Sequence, residues 1–151
     1  MYDPFEFGGA RLSVPLFYNK TYKSRKNIFV YSDLSYGFRN HDINGEIRMN
    51  RLYNPFNRGF YSIHLGKDFE YIFEGDAWIN MLKRSNIYLN KTIGFGHGLE
   101  LLNGLFFYSD IDMAFRRSVS DYKTNDKVDS LFGDILENNH AIAFPAYNAF
   151  Y

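Results

Sequence analysis

The stretch GLFFYSDIDMAFRRS, residues 104–118, alternates its side chains with a period of two over more residues than an ordinary strand needs. One face carries Leu105, Phe107, Ser109, Ile111, Met113 and Phe115. The other face carries Phe106, Tyr108, Asp110, Asp112, Ala114 and Arg116. Successive side chains of a strand point to opposite faces, so the pattern predicts a long strand with one apolar and one charged face.

Five earlier segments share this alternation: Ala10–Tyr18, Asn27–Arg39, Ile43–Tyr53, Gly59–Phe69 and Tyr88–Leu101. Turn-forming residues separate them at 39–42 and 54–59, and Asn103-Gly104 is a strong hairpin signal. Short connections make neighbouring strands antiparallel, which predicts an all-β, up-and-down meander of about six strands. We expect the sheet to be open, with Ala10–Tyr18 and Gly104–Ser118 at its edges and a stub from 146–151 beside the latter.

Strand length favours a membrane environment. The six segments run for about 11 to 15 residues, whereas a strand in a soluble protein averages about 5 to 6 and a transmembrane strand needs about 9 to 11. Aromatic residues, 16 Phe and 13 Tyr in all, collect near the turns, where the girdles of an outer-membrane barrel lie. In a soluble sandwich the same apolar face would be the core, and alternation alone does not separate the two cases.

On the membrane interpretation the apolar face meets lipid and the charged face lines the interior of the barrel. The predicted interior-facing polar residues are Asp33, Arg39, Glu46, Arg48, His64, Asp68, Glu100, Asp110, Asp112 and Arg116. Mixed charges at this density compensate one another across strands or line a solvated path.

Two segments depart from the strand pattern. Residues 73–85 have a helical period, with Asp76 as a plausible N-cap, and predict one short helix within a loop. Residues 118–144 are polar and predict a long excursion loop. Long loops are extracellular in such barrels, so we expect 70–87 and 118–144 outside the cell and the loops at 19–26, 54–59 and 101–104 at the opposite end.

Composition excludes several classes of function. The chain has no cysteine, so disulfides and thiolate metal sites are excluded. Its 17 basic and 17 acidic residues form no basic stripe, which argues against nucleic acid as a partner. The N-terminal MYDPFEFGG has no basic start and no apolar core, so it predicts no signal peptide.

The motifs that carry chemistry are weak. His97 and Glu100 spell H-x-x-E, but an odd separation on a strand sends them to opposite faces, and His97 then falls on the lipid face. His64 and Asp68 share a face, but an extended strand separates them by about 13 Å, so a direct dyad is excluded. The GFGHG stretch (94–98) places three glycines on one face, which predicts strand curvature or close approach of a plug. No catalytic, metal-binding or cofactor-binding residue is assigned.

Residues 35–55, 66–69 and 82–122 resemble an outer-membrane β-barrel family of unknown function. Members of that family usually follow a carboxypeptidase-regulatory-like domain in diderm bacteria. The resemblance implies an integral outer-membrane location and no catalytic residues. It also implies that the chain is an internal piece of a longer protein, since family members are much longer.

We therefore expect residues 1–151 to be a single partial β-barrel domain in the outer membrane of a diderm bacterium. Its partners would be membrane lipid and the remaining strands of the same barrel, with a non-enzymatic role in surface transport, assembly or adhesion and no cofactor. The alternative is a soluble β-barrel or sandwich that binds a small apolar ligand. A metal-dependent glycan enzyme that uses Asp110 and Asp112 is the third possibility.

Overall fold

The computed structural model describes residues 9–72, 86–119, 121–123, 130–131 and 148–150. The strands are β1 (Arg11–Thr21), β2 (Asn27–Gly37), β3 (Asp42–Asn54), β4 (Gly59–Tyr71), β5 (Ile87–Leu102), β6 (Leu105–Ser118) and β7 (Asn148–Phe150). They form one antiparallel sheet in sequential order. The predicted all-β meander of six long strands is confirmed, and the predicted stub is β7, which pairs with Met113–Phe115.

The sheet is open within these residues. β1 pairs only with β2, and β7 pairs only with β6, so no ladder joins the first strand to the last. Pro15 lies in the edge strand β1. An edge strand tolerates proline, which has no backbone N–H, because one side of the strand makes no ladder hydrogen bonds.

The observed ends of β1 and β2 differ by two or three residues from the ends predicted by alternation, because the turns determine where pairing stops. β1 continues to Thr21 instead of Tyr18, because the hairpin turn begins only at Tyr22, whose N–H donates to the Lys26 carbonyl at 2.8 Å and whose carbonyl accepts from the Arg25 N–H at 2.9 Å. β2 ends at Gly37 instead of Arg39, and the following turn contains His41 with a φ of 50°. Arg39 is therefore a turn residue and not a strand residue.

The helix predicted at 73–85 lies outside the described residues, as does most of the loop predicted at 118–144. Among the described residues, no helix is both long and apolar enough to cross a membrane.

The pairing register gives the sheet two chemically distinct faces. On the apolar face, directly opposed residues form a row across four strands: Ile47, Leu65, Ile93 and Met113. The exposed large apolar side chains of this face include Leu12, Val14, Leu16, Tyr18, Leu34, Tyr36, Ile43, Ile47, Leu65, Ile93, Phe95, Phe107, Ile111 and Phe115. Within the described part of the chain, no second layer covers them.

A small cluster of buried apolar side chains lies at one end of the sheet. Its fully buried members are Ile87, Leu89 and Val119. Phe69 and Tyr122 are partly buried and pack against this cluster, and their two rings meet edge to face with centroids 5.2 Å apart. Alternation places Phe69 on the apolar face, and the contact with Tyr122, which follows β6, buries part of it.

The residues after β6 are also tied to the β2–β3 turn. The Asn40 side-chain amide donates to the Lys123 carbonyl at 3.0 Å, and the Lys123 N–H donates to the Asn40 side-chain oxygen at 2.8 Å. This pair of hydrogen bonds holds residues 121–123 against the β2–β3 turn.

Candidate functional site

Nine of the ten polar residues predicted to share a face do so. The register aligns Asp33 with Glu46, Arg48 with His64, and Asp68 with Asn90 on the face opposite the apolar one. The same register adds Glu100, Asp110, Asp112 and Arg116 to that face. We refer to it as the polar face. Arg39 is the exception, because it lies in the β2–β3 turn.

Three glycines of β5 leave a strip of the polar face without side chains. Gly94, Gly96 and Gly98 are buried, and side chains from β4 and β6 fill the space above them. A Cβ on Gly94 would overlap His64 and Asp112, and a Cβ on Gly96 would overlap Ser62 and Asp110. The sequence predicts strand curvature or close approach of a plug at these glycines, and the groups that lie closest to them are side chains of the neighbouring strands.

This strip brings His64 and Asp112 together. Nε2 of His64 lies 3.3 Å from Oδ1 of Asp112, and both side chains are about half exposed. The two residues belong to strands that share no backbone hydrogen bonds, so the contact exists only because Gly94 between them has no side chain. The spacing of His64 and Asp68 along β4 excludes direct contact between them, and no local sequence pattern indicates Asp112 as the partner of His64.

Gly37 on β2 makes the same arrangement at the other side of the sheet. It lies between Arg11 on β1 and Asp42 on β3, and a Cβ at Gly37 would overlap both side chains. Nη1 of Arg11 lies 3.2 Å from Oδ1 of Asp42, and the two side chains are only 1% and 8% exposed. Neither residue was among the predicted site residues, because the pair depends on a register that spans three strands.

The buried Arg11–Asp42 pair is surrounded by further polar and aromatic groups. The Arg11 guanidinium also donates to the Ser35 hydroxyl at 3.2 Å and lies 5.7 Å from the centre of the Phe69 ring. Burial, followed by the negative charge of Asp42, raises the pKa of the Tyr122 phenol above its usual range. Tyr122 therefore stays neutral in this cluster at physiological pH.

An open groove of about 420 Å³ lies on the polar face over β2 to β5. Its lining residues on the polar face include Asp33, Glu46, Arg48, His64, Asp68, Glu70, Asn90 and Thr92. Glu46 and Arg48 form an ion pair at 2.7 Å, and Glu70 accepts hydrogen bonds from Tyr88 and, at 2.9 Å, from Asn90. The groove thus offers both charged and neutral hydrogen-bonding groups to a polar solute.

The described residues contain no group of three or more histidine or acidic side chains that could hold a metal ion. Asp110 and Asp112 do share the polar face, as the D-x-D spacing predicts. His97 and Glu100 face opposite sides, as predicted for H-x-x-E on a strand. Glu100 lies 3.6 Å from Arg58 and accepts a hydrogen bond from the Gly104 N–H at 2.8 Å.

His97, which the alternation places on the apolar face, belongs to an aromatic cluster there. Its Nε2 lies 2.9 Å from the Tyr53 hydroxyl, and the two rings stack with centroids 5.9 Å apart. Tyr53 also stacks on Tyr61 at 6.2 Å, and Nη1 of Arg51 donates to the Tyr61 hydroxyl at 3.2 Å. Tyr53 reaches this row because the β3–β4 pairing is irregular between Leu52 and Asn54.

Comparison with known proteins gives one match. Residues 2–151 match the model of the C-terminal domain of a family of unknown function, DUF5686. No curated protein and no solved structure matches the chain.

Proposed function

Because the chain belongs to the C-terminal domain of the DUF5686 family, whose function is unknown, we propose a role for this domain from its own geometry. The domain forms part of an integral β-barrel in the outer membrane of a diderm bacterium. It acts in surface transport, assembly or adhesion and not as an enzyme. Its partners are the surrounding lipid and further strands of the same barrel.

The uncovered apolar face carries this proposal. Central side chains such as Ile93 and Ile111 are 50% and 56% exposed, although they lie in the middle of long strands. Water would penalise such a surface, because monomeric soluble proteins seldom expose large continuous apolar patches. Lipid tails remove that penalty, and strands of 11 to 16 residues exceed the roughly 9 to 11 residues needed to span a bilayer.

The polar face supports the same orientation. Its Glu46–Arg48 ion pair and its His64–Asp112 contact remain partly exposed, as expected for groups that line a hydrated interior. Outward-facing apolar side chains and inward-facing polar ones are the pattern of outer-membrane barrels. The groove over β2 to β5 would then belong to the barrel interior.

The resemblance noted above extends the proposal in two ways. First, the domain would follow a carboxypeptidase-regulatory-like domain in the natural protein. Second, it would be an internal piece of a longer barrel. Independently of the resemblance, the rule that long loops of such barrels are extracellular would place loops 70–87 and 118–144 outside the cell. Short turns such as 54–59 would face the periplasm.

The alternative, a soluble barrel or sandwich that binds a small apolar ligand, needs a closed sheet or a second layer over the apolar face. Among the described residues the sheet is open, and that face is exposed along the middle of the strands, although Ile87 and Leu89 at one end of β5 are buried. This alternative therefore has less support than the membrane proposal.

Two variants of adjacent residues test the proposal in the natural full-length protein. Ile47→Arg places a charge in the apolar row and should block insertion into the outer membrane, at a cost of about 2–4 kcal/mol near the bilayer midplane. Glu46→Gln changes the polar face next to it and should leave insertion unchanged. The measurement is the amount of protein in the membrane fraction after a carbonate wash. Equal tolerance of both changes, or a protein that stays in solution without detergent, would overturn the proposal.

A further inference from the structure

The cations of the strands are distributed unequally between the two faces. On the apolar face of β1 to β6, the register places five basic residues and no Asp or Glu: Lys20, Arg51, Lys67, Lys91 and Arg117. Every carboxylate of these six strands lies on the polar face. An otherwise apolar surface that carries only positive charge is complementary to an anionic amphiphile.

The basic residues of β3, β4 and β5 alternate with apolar or aromatic residues of the same face: Arg51 lies between Met49 and Tyr53, Lys67 between Leu65 and Phe69, and Lys91 between Leu89 and Ile93. Along β5, Lys91 lies before the apolar Ile93 and Phe95, and His97 follows them. Six residues of extended chain separate Lys91 from His97, which corresponds to about 20 Å. Nζ of Lys67 donates to the Ile43 carbonyl near the end of β3, at 2.9 Å. Long basic side chains that extend toward the polar layer are expected at the boundary of an apolar band.

Arg51 occupies a defined position in this boundary. It lies beside Tyr61, which lies beside His97, so three neighbouring strands present a guanidinium, a phenol and an imidazole in one row. Arg51 is exposed, its guanidinium lies 6.0 Å from the centre of the Tyr61 ring, and within the described part of the chain it has no carboxylate partner. Its remaining N–H groups are available to an acceptor in a planar, forked arrangement that suits phosphate.

We propose that Arg51, Tyr53, Tyr61 and His97 bind the phosphate headgroup of a membrane lipid. The proposal rests on the proposed membrane location of the domain. The Arg51 guanidinium donates to the phosphate oxygens, and the Tyr53–His97 pair fixes the imidazole so that Nδ1 donates when Tyr53 donates to Nε2. The acyl chain of the same lipid lies along Ile63 and Phe95, which form the next apolar row of the same strands.

The test uses the natural protein, purified in mild detergent and reconstituted with equal amounts of phosphatidylglycerol and a phosphate-free diacyl glycolipid with matched acyl chains. Native mass spectrometry counts the lipid molecules that remain bound. The wild-type protein should retain phosphatidylglycerol in preference to the glycolipid. Arg51→Gln should lower that preference by roughly tenfold, the loss expected for a charge-assisted hydrogen bond. Arg51→Lys should lower it as well, because lysine lacks the planar fork.

Lys23→Gln is the matched control, because it removes one exposed positive charge from the β1–β2 turn without touching the cluster. It should keep the wild-type preference. Equal retention of both lipids by the wild-type protein, an unchanged preference in Arg51→Gln, or loss of the bound lipid to millimolar inorganic phosphate would each overturn the inference. If the protein also inserts normally and Ile47→Arg blocks insertion, only the headgroup site is wrong. Failure of the wild-type protein to insert would overturn both proposals.

Discussion

The absence of a side chain at Gly94 allows two residues of non-adjacent strands to make contact. His64 and Asp112 approach each other over this residue, and a methyl group there would overlap both. We predict that Gly94→Ala lowers the free energy of unfolding by about 1–3 kcal/mol, the usual cost of overpacking. The midpoint of denaturant unfolding in detergent measures this change.

A double-mutant cycle provides the control for Gly94. In a His64→Ala background the overlap is reduced to the end of the Asp112 side chain, which can turn away. The cost of Gly94→Ala should then fall by about half or more, a coupling expected for residues in direct contact. An equal cost in both backgrounds would show that the His64 contact does not limit this position.

The sequence predicts part of this arrangement. Three glycines at alternating positions of one strand share one face, and we expect strand curvature or close approach of a plug there. The groups that approach them in the structure are side chains of β4 and β6. The partner of His64 was not predictable, because it depends on the register of β4 against β5 and of β5 against β6. Local spacing excludes Asp68 as a direct partner but carries no information about Asp112.

At the scale of elements, a buried ion pair connects β1 to β3 across Gly37. Asp42→Asn removes the carboxylate and leaves the Arg11 guanidinium buried, with its side chain 1% exposed. We predict a loss of about 3–5 kcal/mol in the free energy of unfolding, because a buried charge without its counter-charge is strongly destabilising. Chemical denaturation followed by circular dichroism measures it.

Glu46→Gln is the comparison, because Glu46 pairs with Arg48 on the same strand and both side chains are well exposed. Exposed ion pairs contribute about 0–1 kcal/mol, so this variant should unfold close to the wild-type midpoint. Similar losses in the two variants would mean that burial of Arg11 does not decide the energetics of the first strand.

Strand type was predictable at this scale, while strand ends were less so. Alternation places all six long strands correctly, because the period of two reflects the geometry of the chain itself. Alternation continues through Arg39, but the chain turns before β3 and adopts a positive φ at His41, as it does at Arg58 before β4. The hydrogen bonds that close each hairpin decide where pairing stops.

At the scale of the whole molecule, the described sheet has two unpaired edges. β1 is a long edge strand, and the short β7 covers only Met113–Phe115 of β6. Unpaired backbone groups at a sheet edge promote association with other strands. We predict that the isolated 151-residue chain forms concentration-dependent oligomers in detergent, as light scattering after size exclusion would detect. A monomer of constant mass with its full strand content would contradict this expectation.

Which side of such a sheet faces inward was not predictable from alternation. Lipid and a protein core are both apolar, so the same pattern satisfies either environment. The distribution of charge adds what alternation lacks, since the apolar face carries cations without carboxylates while the polar face carries both. That asymmetry becomes visible only when the register assigns each residue to a face.

The contacts over Gly37 and Gly94 also have a mechanical consequence. Each joins two strands that share no backbone hydrogen bond, β1 with β3 and β4 with β6. Flattening either group of three strands would separate the two side chains that meet over its glycine. Each contact therefore favours a curved arrangement of its three strands and resists their flattening. Between these two groups of strands, β3 and β4 are joined by their backbone ladder and a short turn. Any widening of the sheet should therefore concentrate at the β3–β4 junction, which would act as its hinge.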